Sequence, residues 1–233
     1  MPRLFVLLAL LLTLAATGCG KDDDKEPATT TATSATTTET QEKDAVGCVV
    51  VAKPEPRGPG DEKKPTVKLD AGEDYEVTIK TNCGEIVIAL DAERAPKTAA
   101  SFAALADSGF YEDLTFHRVL ADFVIQGGDP LGNGTGGPGY NVVEKPPSDL
   151  VYKRGIVAMA KSQVDPSGAS GSQFFIVTGQ DAGLPPQYAL VGKVKSGMGT
   201  VNRIAAQPVD GPQGVPLSPV VIESATVEPA LEG

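Results

Sequence analysis

Thr115-Phe116-His117-Arg118-Val119-Leu120-Ala121-Asp122-Phe123-Val124-Ile125-Gln126-Gly127-Gly128-Asp129 is the stretch on which the reading of this chain turns. It is an apolar run in which an arginine, an aromatic and a glutamine recur at alternating or near-alternating positions, and it closes on a Gly-Gly turn. In a strand, successive side chains point to opposite faces, so positions of one parity share a face. One face then presents a cation, a ring and an amide together. That set makes a poor core and a good binding surface.

The flanks read as more of the same. Tyr75–Lys80 alternates, Glu85–Leu90 alternates, and Asn82-Cys83-Gly84 between them is a hairpin signature. Pro96 opens a helical stretch in which Phe102, Leu105 and Ala106 share a face and Gly109 supplies the stop. Strand-like runs cover 115–120, 123–127, 156–160, 173–178 and 189–194, a short helix fits 197–205, and Ser218–Val227 alternates as a last strand. Glycine-rich turns join them, notably 132–139. Many short strands with two helices predict a mostly β protein, a closed antiparallel barrel capped at its ends.

Composition narrows the function. A chain of 233 residues suits one domain of roughly 150–170 residues plus appendages. With 41% hydrophobic residues, 26 Gly and 19 Pro, it has a real core and many turns. A single His and three Cys leave little from which to build a metal site. The formal net charge of −10 argues against non-specific nucleic-acid binding.

The N-terminus reads as a processing segment. Arg3 precedes an apolar run, Leu4 to Leu14, and then Ala15-Ala16-Thr17-Gly18-Cys19. A short basic start, about a dozen apolar residues and small residues before the cut describe a signal peptide over 1–18. The run falls short of the ~20 apolar residues of a membrane-spanning helix. Residues 16–19 resemble a bacterial lipobox, although Leu is more usual where Ala16 stands. The resemblance implies a lipidated Cys19 and an extracytoplasmic protein anchored to a membrane; ordinary secretion is the alternative. Residues 19–45 follow as a charged, then Thr-rich, disordered tether, because such composition buries too little surface to offset ordering entropy. Residues 46–73 read as an irregular extension lying on the domain.

Cys48 and Cys83 remain as an even pair. Outside the cytoplasm such a pair is a disulfide candidate, and two free thiols are the alternative.

Taken in order, the motifs resemble the cyclophilin family of peptidyl-prolyl cis/trans isomerases. They are Phe116-His117-Arg118, Phe123, Gln126-Gly127-Gly128-Asp129, Gly134-Thr135-Gly136-Gly137, Gly155-Ile156-Val157-Ala158-Met159-Ala160, Gly171-Ser172-Gln173-Phe174-Phe175-Ile176 and Val191-Gly192-Lys193-Val194. The resemblance covers roughly residues 74–228 and leaves 229–233 as a tail. It implies an eight-stranded antiparallel β-barrel with a helix closing each end and an active site on the outside of the barrel.

It also implies residue roles. Arg118, Phe123 and Gln126 are the expected catalytic set, with Arg118 donating to the prolyl nitrogen and Gln126 meeting the substrate backbone. Val124, Phe175 and Leu184 join Phe123 around the proline ring, Tyr188 flanks it, Gln173 stands beside the site, and peptide backbone runs along Ala160-Lys161. Rotation about an amide needs no nucleophile, so no metal or cofactor is expected. The partners are proline-containing peptides and folding secreted proteins, met by a monomer, with a membrane contact only through Cys19.

Several residues depart from the family pattern. Lys161 stands where most relatives have Asn, Val124 where many have Met, Tyr188 where many have His, and Gly183 where some have Trp. The stretch 162–170 is longer than in compact relatives. Loss of an indole donor predicts weak cyclosporin binding. His117, next to Arg118, is expected to face the barrel interior as a packing residue, and Asp129 to stabilise a turn. A non-catalytic chaperone of the same fold, or a module that grips proline loops, is the alternative function, and a solute-binding lipoprotein a more distant one.

Overall fold

A computed structural model of the protein describes residues 41–70, 72–229 and 231. The expected leader, the lipidated Cys19 and most of the expected tether lie outside them.

Eight strands form one antiparallel sheet in the order β12-β1-β2-β9-β6-β8-β4-β3. These are β1 (Glu76–Thr81), β2 (Gly84–Leu90), β3 (Arg118–Leu120), β4 (Val124–Gly127), β6 (Ile156–Met159), β8 (Phe174–Val177), β9 (Leu190–Ser196) and β12 (Ile222–Glu228). Two two-residue pairs lie outside the sheet: β5 (Val142–Val143) with β7 (Ala169–Ser170), and β10 (Val209–Asp210) with β11 (Val215–Pro216). The helices are α1 (Pro96–Asp107) and α2 (Met198–Ala205). β1 and β2 form the expected hairpin, with Thr81 opposite Gly84 across Asn82-Cys83.

The alternation does what the sequence promised. Val77, Ile79, Ile86, Ile88, Val119, Ile125, Val157 and Ile176 all point to one buried face and build the main core. Helix α1 packs on it through Phe102, whose ring meets Tyr111 and Phe174 at 5.2 and 5.3 Å between centroids. Pro96 at the start of α1 is pre-set for a helical φ. The free N–H groups of Lys97 and Thr98 are met by the Glu144 carboxylate, at 3.2 and 2.8 Å.

The eight strands make a strongly curled half-barrel, whose ladders do not themselves close the expected barrel. β3 and β12 end the sheet and are not ladder neighbours. The chain just before each of them meets instead, with an isolated bridge between Thr115 and Val221. β3 has only three residues, and its outer edge is taken by Gly214, whose carbonyl accepts the Val119 N–H at 2.7 Å.

The extension is ordered and lies on the domain. Cys48 is disulfide-bonded to Cys83 in the β1–β2 turn. Asn82 donates its side-chain amide to Val49 O at 2.7 Å, and the Val49 N–H donates to Asn82 O at 2.8 Å. Leu69 is buried in the main core. Residues 42–45, which composition places in the tether, take part in a turn: Val50 N donates to Glu42 O, and the Asp44 carboxylate accepts from the N–H groups of Val46 and Cys48. No helix among the described residues is long and apolar enough to cross a membrane.

Candidate active site

The outer face of the same strands carries a second apolar cluster. Val124, Tyr152, Ala158, Phe175, Val177 and Leu190 belong to its buried part, and Phe123, Ala160, Leu184 and Tyr188 are among the residues partly buried against it. Strand register explains the assembly. Arg118 is opposite Gln126, Gln126 opposite Phe175, Phe175 opposite Ala158 and Ala158 opposite Leu190. Directly opposed residues share a face. One row across β3, β4, β8, β6 and β9 therefore runs from a guanidinium through an amide to an aromatic ring and an apolar floor.

The polar end of the row is wired together. Arg118 Nη1 donates to Gln126 Oε1 at 3.4 Å, a long bond. Gln126 Nε2 donates to Gln173 Oε1 at 2.9 Å, and Gln173 Nε2 donates to Gly136 O at 2.8 Å. Arg118 is half-buried and has no carboxylate partner among the described residues. Most of its donors are left for something else.

The apolar end is a ring basin. Phe175 and Tyr188 meet edge to face at 5.5 Å, and Tyr152 sits 6.2 and 6.0 Å from them. The Tyr152 hydroxyl donates to Tyr188 O at 2.6 Å and accepts the Tyr188 N–H at 3.0 Å, which fixes the segment carrying that ring. Burial pushes the Tyr152 hydroxyl up to about 12 despite the hydrogen bond to Tyr188, so it stays protonated at neutral pH. Phe123 and Val124 both reach the basin although they are adjacent. Phe123 belongs to the β3–β4 turn, where Asp122 has φ 56°, and is thereby freed from the strand's alternation. Val124 is buried and serves as floor, with Phe123 as rim.

Beside the row lies a groove of about 470 Å³ lined by Gly134, Gly136, Ala160, Lys161, Asp165 and Gln173, among others. Ala160 N is used by Gln173 O at 2.8 Å, whereas Ala160 O and Lys161 N carry no hydrogen bond among the described residues. Lys161 Nζ stands 5.7 Å from the Tyr188 ring centroid and donates to Ser162 O and Asp165 O. The Asp165 carboxyl is held below its usual range by hydrogen bonds from Ser162.

His117 is a packing residue, with both ring nitrogens buried, but it does not take the expected place in the barrel interior. Phe116 and Val119, both buried in the main core, hold the inward positions on either side of it. His117 lies half-buried in a small cleft with Lys53, Gly132, Val215 and Leu217. The reason is that regular strand begins only at Arg118, so alternation does not extend back through residue 117. Neither ring nitrogen has a hydrogen-bond partner among the described residues, and burial lowers its pKa. Asp129 is nearly fully buried, and its carboxylate accepts from the N–H groups of Leu131, Asn133 and Gly134, as befits a turn clamp.

Tyr152 was not singled out by sequence. It sits in a short apolar patch without periodicity, and its role exists only through Tyr188, 36 residues away. Among the described residues no group of three His, Cys, Asp or Glu side chains is placed to hold a metal ion.

Comparison with known proteins agrees with this geometry. Residues 76–227 match the family model for the cyclophilin type peptidyl-prolyl cis-trans isomerase/CLD. The peptidyl-prolyl cis-trans isomerase B of Streptomyces anulatus is 39% identical over 174 residues, covering 67% of this chain and 98% of that protein. The peptidyl-prolyl cis-trans isomerase A of Mycobacterium tuberculosis is 39% identical over 168 residues, covering 64% and 90%. A crystal structure of a Cryptosporidium parvum cyclophilin type isomerase, in the presence of the dipeptide Ala-Pro, superposes with a TM-score of 0.61 at 33% identity, covering 66% of this chain and 99% of that one. The chain belongs to the cyclophilin-type peptidyl-prolyl cis-trans isomerases.

Proposed function

We propose that the enzyme accelerates rotation about X-Pro bonds in proteins outside the cytoplasm, with Arg118 as its catalytic donor. The amide barrier is ~18–20 kcal/mol, and uncatalysed exchange takes tens to hundreds of seconds. Bringing that to milliseconds needs about 6–7 kcal/mol of preferential binding of the twisted state. As the bond twists, the prolyl nitrogen becomes pyramidal and regains its lone pair. A guanidinium that donates to this nitrogen stabilises the twisted form more than the planar one.

The observation that carries the reading is the state of Arg118. Its only protein partner among the described residues is the long contact to Gln126, and it adjoins a basin of rings suited to a proline. Gln126 holds the guanidinium in plane and has capacity left for substrate backbone. Phe123, Phe175, Leu184 and Tyr188 enclose the ring over Val124. The unpaired Ala160 O and Lys161 N receive the peptide backbone, in the manner of strand addition. Lys161 and the Ser162–Ser170 stretch beside the groove tune the choice of residue before proline.

The setting is read from the N-terminal leader and Cys19, supported by the Cys48–Cys83 disulfide, which belongs to oxidising compartments. In this reading the lipid on Cys19 keeps a monomeric domain near a membrane while proline-containing segments of secreted clients come to it. A proline-isomerisation assay on a tetrapeptide, comparing the protein with Arg118→Ala, tests the catalytic assignment. Equal rates sink it.

A further inference from the structure

Residues 57–62 precede the family-matched stretch, yet they touch the loop on which the polar end of the site hangs. The Arg57 N–H donates to Pro130 O at 3.0 Å, Gly60 N–H to Gly137 O at 3.1 Å, and Glu62 N–H to Pro138 O at 2.8 Å. The Arg57 guanidinium lies over the Phe110 ring, 5.3 Å from its centroid, and donates to Phe110 O. The approach is closer than side chains permit on either partner. A Cβ on Gly60 would stand 2.6 Å from Gly137 O and 2.8 Å from Pro138 Cα, and one on Gly139 would stand 2.7 Å from Gly60 O.

The loop so gripped has few side-chain anchors, although Pro138 is buried beside Gly171. Gly132, Gly134, Gly136, Gly137 and Gly139 offer no side chains to pack. Its first limb is clamped by the Asp129 carboxylate, through Leu131, Asn133 and Gly134. Its second limb, Gly137 and Pro138, is clamped by the extension. Between the two clamps sits Gly136, whose carbonyl receives Gln173 Nε2 and so begins the line Gln173–Gln126–Arg118.

We propose that residues 57–62 are a positioning strap for Arg118, acting through the Gly136–Gly137 peptide and Gln173. The strap touches no substrate. It fixes the carbonyl that orients Gln173, which orients Gln126, which holds the guanidinium where the prolyl nitrogen arrives. Fixing a glycine-rich loop from its far side limits the spread of guanidinium positions, and misplacement by about an ångström is enough to reduce turnover up to a hundredfold. The inference rests on Arg118 being the catalytic donor.

The test is a double-mutant cycle on the full chain, with kcat and KM measured separately on a proline peptide and folding checked by thermal melting. Gly60→Ala forces the strap away from Gly137 and is expected to lower kcat about tenfold with KM within about twofold, the pattern of an interaction made in the transition state. In a Gln173→Ala background the same substitution is expected to cost nothing further, since the line is already cut. Arg57→Ala, which loosens the strap without adding bulk, should give a smaller loss of kcat with the same non-additivity. If Gly60→Ala fails to fold, the Arg57→Ala cycle decides alone. Unchanged kcat in the folded variants, or losses that simply multiply with that of Gln173→Ala, overturns the strap. Arg118→Ala run alongside separates the two ideas: wild-type turnover in that variant means the catalytic assignment has failed, whatever the strap does.

Discussion

Reducing the Cys48–Cys83 bridge is expected to destabilise the fold by about 4 kcal/mol. The two cysteines are 35 residues apart in sequence. Closing a loop of that size removes roughly 13 cal/mol/K of chain entropy from the unfolded state, which is about 4 kcal/mol at 25 °C. Little of this is returned through the native state. Both sulfurs are buried, and the backbone around them stays tied by the paired bonds between Val49 and Asn82. At about 2–4 °C per kcal/mol for a domain of this size, the melting temperature should fall by roughly 8–16 °C. The assay is urea unfolding followed by circular dichroism, with and without reductant, checked against Cys48→Ala with Cys83→Ala so that no hydroxyl is buried. The change belongs to the unfolded chain, so the midpoint should move far more than the native spectrum or the isomerase rate at 25 °C. A shift in midpoint worth less than about 1 kcal/mol would refute the reasoning, because the unfolded chain would not then be gaining the freedom the loop denies it.

Three further outcomes follow from the geometry. Tyr152→Phe removes both hydrogen bonds to the Tyr188 backbone and should cost about 1–3 kcal/mol by chemical denaturation, with KM for a proline peptide rising more than kcat falls. The lowered pKa of His117 means that the unfolded chain binds its proton first. Its contribution to stability is complete above the unfolded value of about 6.5 and is lost as pH falls below it. Denaturation midpoints should therefore drop between pH 7.5 and 5, a range above most carboxylate titrations, and His117→Gln should flatten that drop; an equal slope in the variant contradicts it. Gly183, at φ 62° with nothing near its missing Cβ, offers no indole donor, so a fluorescence titration should show weak cyclosporin binding, and tight stoichiometric binding overturns this.

How much of this was legible in sequence depends on what carried the information. Alternating β-branched residues such as Val77, Ile79, Ile86 and Ile88 declare their face locally, and the hairpin and both helices follow from local rules. The site row was half legible. Arg118 and Gln126 share parity and do sit opposite one another, whereas their meeting with Phe175 and Ala158 depends on the order of strands. His117 departs from the expected face because it precedes β3, where strand alternation does not apply. Phe123 and Val124 are adjacent yet share the basin, which the turn at Asp122 makes possible. Closure of the barrel is not written locally: the edge of β3 takes the carbonyl of Gly214, nearly a hundred residues on, while the chain before β3 bonds to residues 220–222. Tyr152 and the strap left no local signal. One works through a distant backbone, and the other through main-chain hydrogen bonds that no side-chain pattern records.

In the proposed mechanism Arg118, without a carboxylate partner among the described residues and set beside an apolar basin, stabilises the twisted prolyl amide. The most direct measurement is kcat/KM for a proline tetrapeptide with the protein, Arg118→Ala and Arg118→Lys, each checked for folding. The account predicts a loss of about a hundredfold or more for alanine, on the scale of removing one preorganised donor to a transition state. Lysine should rescue it poorly, because a compact ammonium lacks the planar fork. A folded Arg118→Ala protein that isomerises within about threefold of the wild type contradicts the account.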